Sequence, residues 1–130
     1  MQLFSQEMNH NPSDLAARNN LAMTALLMDA QELKPFELAR DVYRASPTNA
    51  SYVSTYAFAL HLQDKDTDAL KLMDTLKPQE LENPSIVGYY GIILKTAGQT
   101  NRARAYLARA FNGRLLPEER KLFETARAGL

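Results

Sequence analysis

The chain of 130 residues has no cysteine and no tryptophan. The missing cysteine excludes disulfides, thiolate metal sites and cysteine catalysis, and leaves the compartment open. Histidine occurs only as His10 and His61, so no H-x-x-x-H or H-E-x-x-H metal-binding pattern can form. Glycine is scarce, five in all, with no Gly-rich phosphate loop, and no serine sits in a G-x-S-x-G context. No apolar run approaches the ~18 residues that a membrane span requires. The N-terminus, Met1-Gln2-Leu3-Phe4-Ser5, lacks the basic and apolar segments of a secretory signal. Cytoplasmic location is therefore the default expectation. Nothing in the sequence argues for a catalytic residue, a metal or a cofactor.

Net charge is also missing, with 15 Lys and Arg balanced by 15 Asp and Glu. The balance hides an asymmetry. Residues 1–94 hold 7 basic and 12 acidic side chains, and residues 95–130 hold 8 and 3. A basic C-terminal third can face nucleic acid or an acidic partner. Arg102 and Arg109 share a helical face, whereas Arg104 points elsewhere, and the sequence offers no aromatic stacking platform beside them. A solvated arginine-rich helix surface is the simpler reading, and nucleic acid is disfavoured as a partner.

What the chain does contain is a copy of itself. Val53, Tyr56, Ala57, Leu60, Ala69, Met73 and Leu76 return at one constant offset as Val87, Tyr90, Gly91, Leu94, Ala103, Leu107 and Ala110. Every position is apolar or small in both copies. A fixed period of this kind marks stacked repeats, each burying its apolar face on the next. Earlier in the chain, Arg18, Leu21, Ala22 and Ala25 align with Val53, Tyr56, Ala57 and Leu60 at nearly the same offset. The partner Ala39, Tyr43 and Ser46 aligns with Ala69, Met73 and Leu76 at a clearly shorter one. This first unit needs a longer helix or an extended turn around Asp29–Pro35.

Helix punctuation follows the same period. Proline at helix starts and in connections, polar caps, and glycine or Asn-Gly at helix ends predict helices over about 13–29, 36–45, 49–62, 67–76, 84–97, 101–111 and 117–128. Ser13 or Asp14, Asn83 and Thr100 or Asn101 are the expected starts, and Gly98 and Asn112-Gly113 the expected stops. No strand pattern competes. Glu118 and Glu119 suit the positive N-terminal end of the last helix. That helix is polar on one side, and Leu115, Leu116, Leu122 and Phe123 are expected to face the preceding unit.

Two helices per period of roughly 34 residues resembles the tetratricopeptide repeat (TPR). The best match is Val87-x-x-Tyr90-Gly91-x-x-Leu94, followed by Ala103, Leu107 and Ala110. Val53 and Val87 stand where that family carries tryptophan. The resemblance implies an all-α fold, an α-solenoid of antiparallel helix pairs: about three TPR-like units plus a C-terminal capping helix. Residues 1–130 then form a single domain, with a partial repeat remnant at 2–11 (Phe4 and Pro12 keep the family spacing), an irregular repeat at 12–46, repeats at 47–82 and 83–113, and the capping helix at 114–130. The remnant reading makes the chain the C-terminal part of a larger TPR protein. Close approach within a unit would occur at Ala57 against Ala69 and at Gly91 against Ala103.

The resemblance also implies a function: a non-enzymatic protein-interaction module that binds a peptide or protein segment in a concave groove lined by the first helix of each unit. Residues beside the packing signature are the groove candidates: Asn19, Met23 and Leu26; Ser54, Phe58 and His61; Gly88, Ile92 and Lys95, with Tyr89 at the margin. Several of these could equally be inter-unit core. Family members that hold acidic C-termini use a Lys, Asn and Arg cluster, and here only Asn19 and Lys95 would serve. A mixed apolar and polar groove suits an extended or helical segment better. An alternative is self-association as the structural end-cap of a longer array, with a homodimer forming through Leu3, Phe4 and Met8 at the N-terminal end. Asp64-x-Asp66-x-Asp68 resembles the start of a calcium loop, but Ala69 and Thr75 replace its required Gly and Glu.

Overall fold

The computed structural model describes residues 12–130, and it is all-helical with no strand among them. The suggested remnant at 2–11, with Leu3, Phe4 and Met8, lies outside the described residues. Within the described residues the α-helices are, in order, α1 (Pro12–Leu27), α2 (Pro35–Ala45), α3 (Ala50–Leu62), α4 (Asp66–Met73), α5 (Pro84–Thr96), α6 (Thr100–Ala110) and α7 (Pro117–Ala128). Short 3₁₀ turns at Gln31–Leu33 and Pro78–Glu82 lie in the two longest connections before α5. No helix among the described residues is long and apolar enough to cross a membrane.

Local chemistry explains the boundaries. Asn49 and Asn83 cap α3 and α5, their side chains accepting from Tyr52 N at 3.2 Å and from Ser85 N at 2.9 Å. Each satisfies an amide that the first helical turn leaves without a partner. Proline opens α2, α5 and α7, where its missing N–H costs nothing.

The C-terminal ends of α1, α3 and α5 repeat one device. Asp29, Asp64 and Gly98 take left-handed φ values of 55°, 63° and 82°. The amide after each bonds back to Ala25, Leu60 and Leu94 carbonyls at 2.9 Å, and its own amide bonds to Leu26, His61 and Lys95 carbonyls. This is the Schellman motif, which consumes the orphan carbonyls of the last turn. The three positions follow one another at the period of the sequence repeat, so the period extends to the backbone, with aspartate twice in the glycine place.

Two expectations shift. α1 stops at Leu27, and the extra residues of the first unit form the extended turn, with Asp29 and Lys34 both at positive φ. α4 ends at Met73 instead of 76 because its last turn tightens. Thr75 N and Leu76 N bond three residues back, and the Thr75 hydroxyl donates to the Leu72 carbonyl at 2.6 Å.

Each helix packs on the next in sequence, and α1, α3, α5 and α7 also contact one another in succession. Thus α5 lies against both α3 and α4, and α7 lies against both α5 and α6. One apolar core runs through these contacts from Ala22 to Phe123, and a smaller cluster of Leu15, Val42 and Tyr52 joins α1, α2 and α3. At Gly91, α5 and α6 come close: a β-carbon there would lie 2.7 Å from Leu107 Cγ and 3.2 Å from Leu107 N. Gly88 plays the same part between α5 and α7, with Phe123 packed directly on its α-carbon.

Candidate functional site: a cleft across α1, α3 and α5

The residues gathered by successive packing of α1, α3 and α5 enclose a cleft of about 600 Å³. α1 contributes Asn19, Asn20, Met23 and Thr24. α3 contributes Ser51, Ser54 and Thr55, and α5 contributes Ser85, Ile86 and Tyr89. The segment Arg114–Pro117 and Glu119 of α7 close one end. Helical spacing explains the set. Asn19 and Met23 are four apart on α1, and Ser85 and Tyr89 are four apart on α5, so each pair shares one face. Ser51, Ser85 and Glu119 occupy one repeating register, since Ser85 is separated by the same interval from Ser51 before it and Glu119 after it.

The floor of the cleft is buried and polar. Asn19 is 8% exposed and Ser54 is 3% exposed, and Asn19 Oδ1 and Ser54 Oγ have no hydrogen-bond partner among the described residues. Buried polar atoms nearly always find a partner, and leaving one unpaired costs ~1–3 kcal/mol. Neighbouring hydroxyls do not help. Thr55 Oγ1 is committed to the Ser51 carbonyl at 3.0 Å.

At the α7 end, Glu119 is 4% exposed. Its Oε1 accepts from Ser85 Oγ at 2.9 Å and from Leu116 N at 3.2 Å, and its Oε2 accepts from Tyr89 OH at 2.7 Å. The bond to Leu116 N is half of a capping box, which ties the carboxylate to the positive end of α7. Burial first, and then the charge and hydrogen bond of Glu119, push the Tyr89 hydroxyl far above its ordinary pKa, so the phenol stays a donor. Expected as an exposed acid on the polar side of α7, Glu119 is instead the carboxylate that locks α7 onto α5.

Of the ten candidates named from the sequence, Asn19, Met23, Ser54 and Tyr89 meet in this cleft. The other six do not. Phe58 and Ile92 are buried in the apolar core, because α5 covers α3 and α7 covers α5. Phe58 lies between His61 and Tyr89, with centroid separations of 6.0 and 4.7 Å, and Tyr89 meets Phe123 edge-on at 5.1 Å. His61 is half-buried, with Nδ1 2.6 Å from Asp66 Oδ1. Lys95 reaches across to α7 and donates to the Ala126 carbonyl at 2.9 Å. With Phe123 seated on Gly88, α7 occupies the third unit's expected groove positions. Leu26 is buried in the core as well. Phe123, Leu115 and Leu122 pack inward as anticipated, whereas Leu116 is half-exposed at the cleft rim.

The arginines of α6 also differ from expectation. Arg102 lies over the Tyr90 and Tyr106 rings at 5.5 and 5.4 Å, and Arg109 over Tyr106 at 5.4 Å. Aromatic rings do accompany them, but the chain's own guanidiniums already stack there. Tyr90 also donates to Asp74. Burial, then that bond, raises its pKa to about 12, against an opposing effect from Arg102. Among the described residues, no cluster of His, Asp and Glu has the makings of a metal site.

Compared with known proteins, the sequence matches no family model, no curated protein and no solved structure.

Proposed function

We propose that this chain is a non-enzymatic interaction module built as a TPR-like solenoid, and that it binds a peptide or protein segment in the cleft across α1, α3 and α5. The observation that carries this reading is a pair of buried atoms, Asn19 Oδ1 and Ser54 Oγ, on one cleft floor with no partner among the described residues. Both atoms have almost no exposed surface, so an extended segment, which brings backbone N–H donors at regular intervals, satisfies them by parting α1 from α3 as it docks. The apolar parts of Met23, Ile86 and Leu115 supply side-chain contacts around them.

Support for the solenoid comes from the nearest-neighbour packing of α1, α3, α5 and α7 and from the Schellman turns repeated at the period of the sequence. An enzymatic reading finds no support in the cleft, whose lining among the described residues includes no histidine or lysine to activate Ser54. The groove is preferred over the basic face as the binding surface because Arg102 and Arg109 are held by Tyr90, Tyr106 and the Leu81 carbonyl.

Selection from a random-heptapeptide phage library tests the reading. Wild-type protein should enrich a related set of sequences, and Thr24→Trp or Ser51→Trp, which fill the cleft from exposed positions, should lose them. Equal enrichment by wild type and both variants, or none by wild type, would overturn it.

A further inference from the structure

The cleft has an electrostatic bias that its own residues leave standing. Glu119 is buried in its wall, and its three hydrogen-bond donors, Ser85, Tyr89 and the Leu116 amide, are all neutral. No lysine or arginine forms an ion pair with it among the described residues. The N-terminus of α7 offsets only part of the charge, since a helix end is equivalent to roughly half an elementary charge. A carboxylate offers about four lone-pair positions, so Oε2, with one donor, can accept another. Asn19 Oδ1 and Ser54 Oγ, buried beneath the same cleft, have no partner among the described residues. The cleft thus holds unused acceptor capacity at Glu119 and, among the described residues, a carboxylate with no ion-pair partner.

We infer that the segment bound in this cleft presents a basic side chain, lysine or arginine, whose cationic head docks toward Glu119. An ammonium brings three N–H donors and a guanidinium five, with no acceptor. Either matches a wall rich in acceptors. An acidic side chain would place a second negative charge beside a buried carboxylate, where screening by water is weak. Among the described lining residues, Arg114 is the only cation. It is exposed at the rim and forms no ion pair with Glu119, so it opposes the incoming cation and does not replace it. The inference rests on the peptide-binding reading and narrows it to a class of ligand.

Blocked pentapeptides Ala-Ala-Xaa-Ala-Ala, with Xaa as lysine, its neutral analogue norleucine, or glutamate, separate the two levels. They are titrated into the isotope-labelled full chain and followed through the backbone amides of Ser54, Thr55, Ser85 and Leu116. The lysine peptide should bind about 5-fold more tightly than the norleucine peptide, in line with a partly solvated ion pair, and the glutamate peptide should bind most weakly. Glu119→Gln should bring the lysine-to-norleucine ratio to about one. Because that change touches the bonds that hold α7, Arg114→Ala provides a second arm: it leaves Glu119 intact and should raise the ratio. Equal binding of lysine and norleucine peptides to wild type would overturn the cationic specificity and leave the cleft reading standing. So would a ratio that neither variant moves. A titration in which no peptide shifts a cleft amide would overturn both.

Discussion

Replacing Gly88 by alanine sets two known effects against each other. In an exposed helix interior, glycine to alanine stabilises by about 1 kcal/mol, because alanine loses less backbone freedom on folding. At Gly88 the new β-carbon would lie within 2.7 Å of three ring carbons of Phe123. Phe123 is fully buried and meets Tyr89 edge-on, so its ring has nowhere to retreat without moving α7. Overpacking a filled core costs ~1–3 kcal/mol, and three ring atoms in conflict put this site near the upper end. The net expectation is a loss of about 1–2 kcal/mol, opposite in sign to helix propensity. Urea unfolding followed by circular dichroism measures it. A cycle with Phe123→Leu, which opens space over Gly88, should show a coupling of at least ~1 kcal/mol, since the residues touch. If Gly88→Ala matches or exceeds wild-type stability, or the double variant is additive, the α5–α7 contact is not as described. The position of Glu119, one turn before Phe123 on the same helix face, would then lose its support as well.

Three further outcomes follow from the same contacts. Glu119→Ala removes the acceptor for two side-chain hydroxyls and leaves the Tyr89 hydroxyl buried and unpaired, so it should cost ~2–4 kcal/mol in urea unfolding, with Ser85→Ala costing ~1 kcal/mol or less. Asp64→Gly should stabilise by roughly 0.5–1 kcal/mol, because glycine takes the left-handed turn after α3 without the strain on a β-carbon; a loss would mean that the aspartate side chain contributes more than its backbone conformation costs. Absorbance titration should find Tyr89 and Tyr90 still protonated above the ordinary tyrosine value of about 10. The folded-state pKa values are raised, so the stability that these two phenols contribute is complete below about 10. It falls as pH climbs toward about 12 for Tyr90 and beyond that for Tyr89. Tyr89→Phe and Tyr90→Phe should each flatten that alkaline loss. Ionisation of Tyr89 and Tyr90 near pH 10 in the native state would refute the assignment.

Helix positions were legible because local chemistry sets them. Asn83-Pro84 and Gly98 begin and end α5 for reasons contained within a few residues. Asp29 and Asp64 were harder to read as stops, since aspartate in the left-handed region has no composition signature. Only alignment with Gly98 at the repeat period could have revealed them. The cleft was half legible. The period placed Asn19, Met23, Ser54 and Tyr89 on one surface, but it could not say that Phe58, Ile92 and Gly88 on neighbouring registers would be covered. Glu119 was not legible at all. In sequence it is an ordinary first-turn acid, and the signal available was its register with Ser51 and Ser85.

By itself, the amino-acid sequence determined the helices of the described residues, a repeat period that is constant over the last two copies, the caps and most of the stops. Those properties come from backbone sterics, missing N–H groups and side chains within one or two turns. Tertiary structure decided which faces stay open. Burial depends on what lands on a helix, and α7 landing on α5 turned the expected groove positions Gly88, Ile92 and Lys95 into contacts. That same docking put a carboxylate into the wall of the cleft whose floor atoms, Asn19 Oδ1 and Ser54 Oγ, have no partner among the described residues.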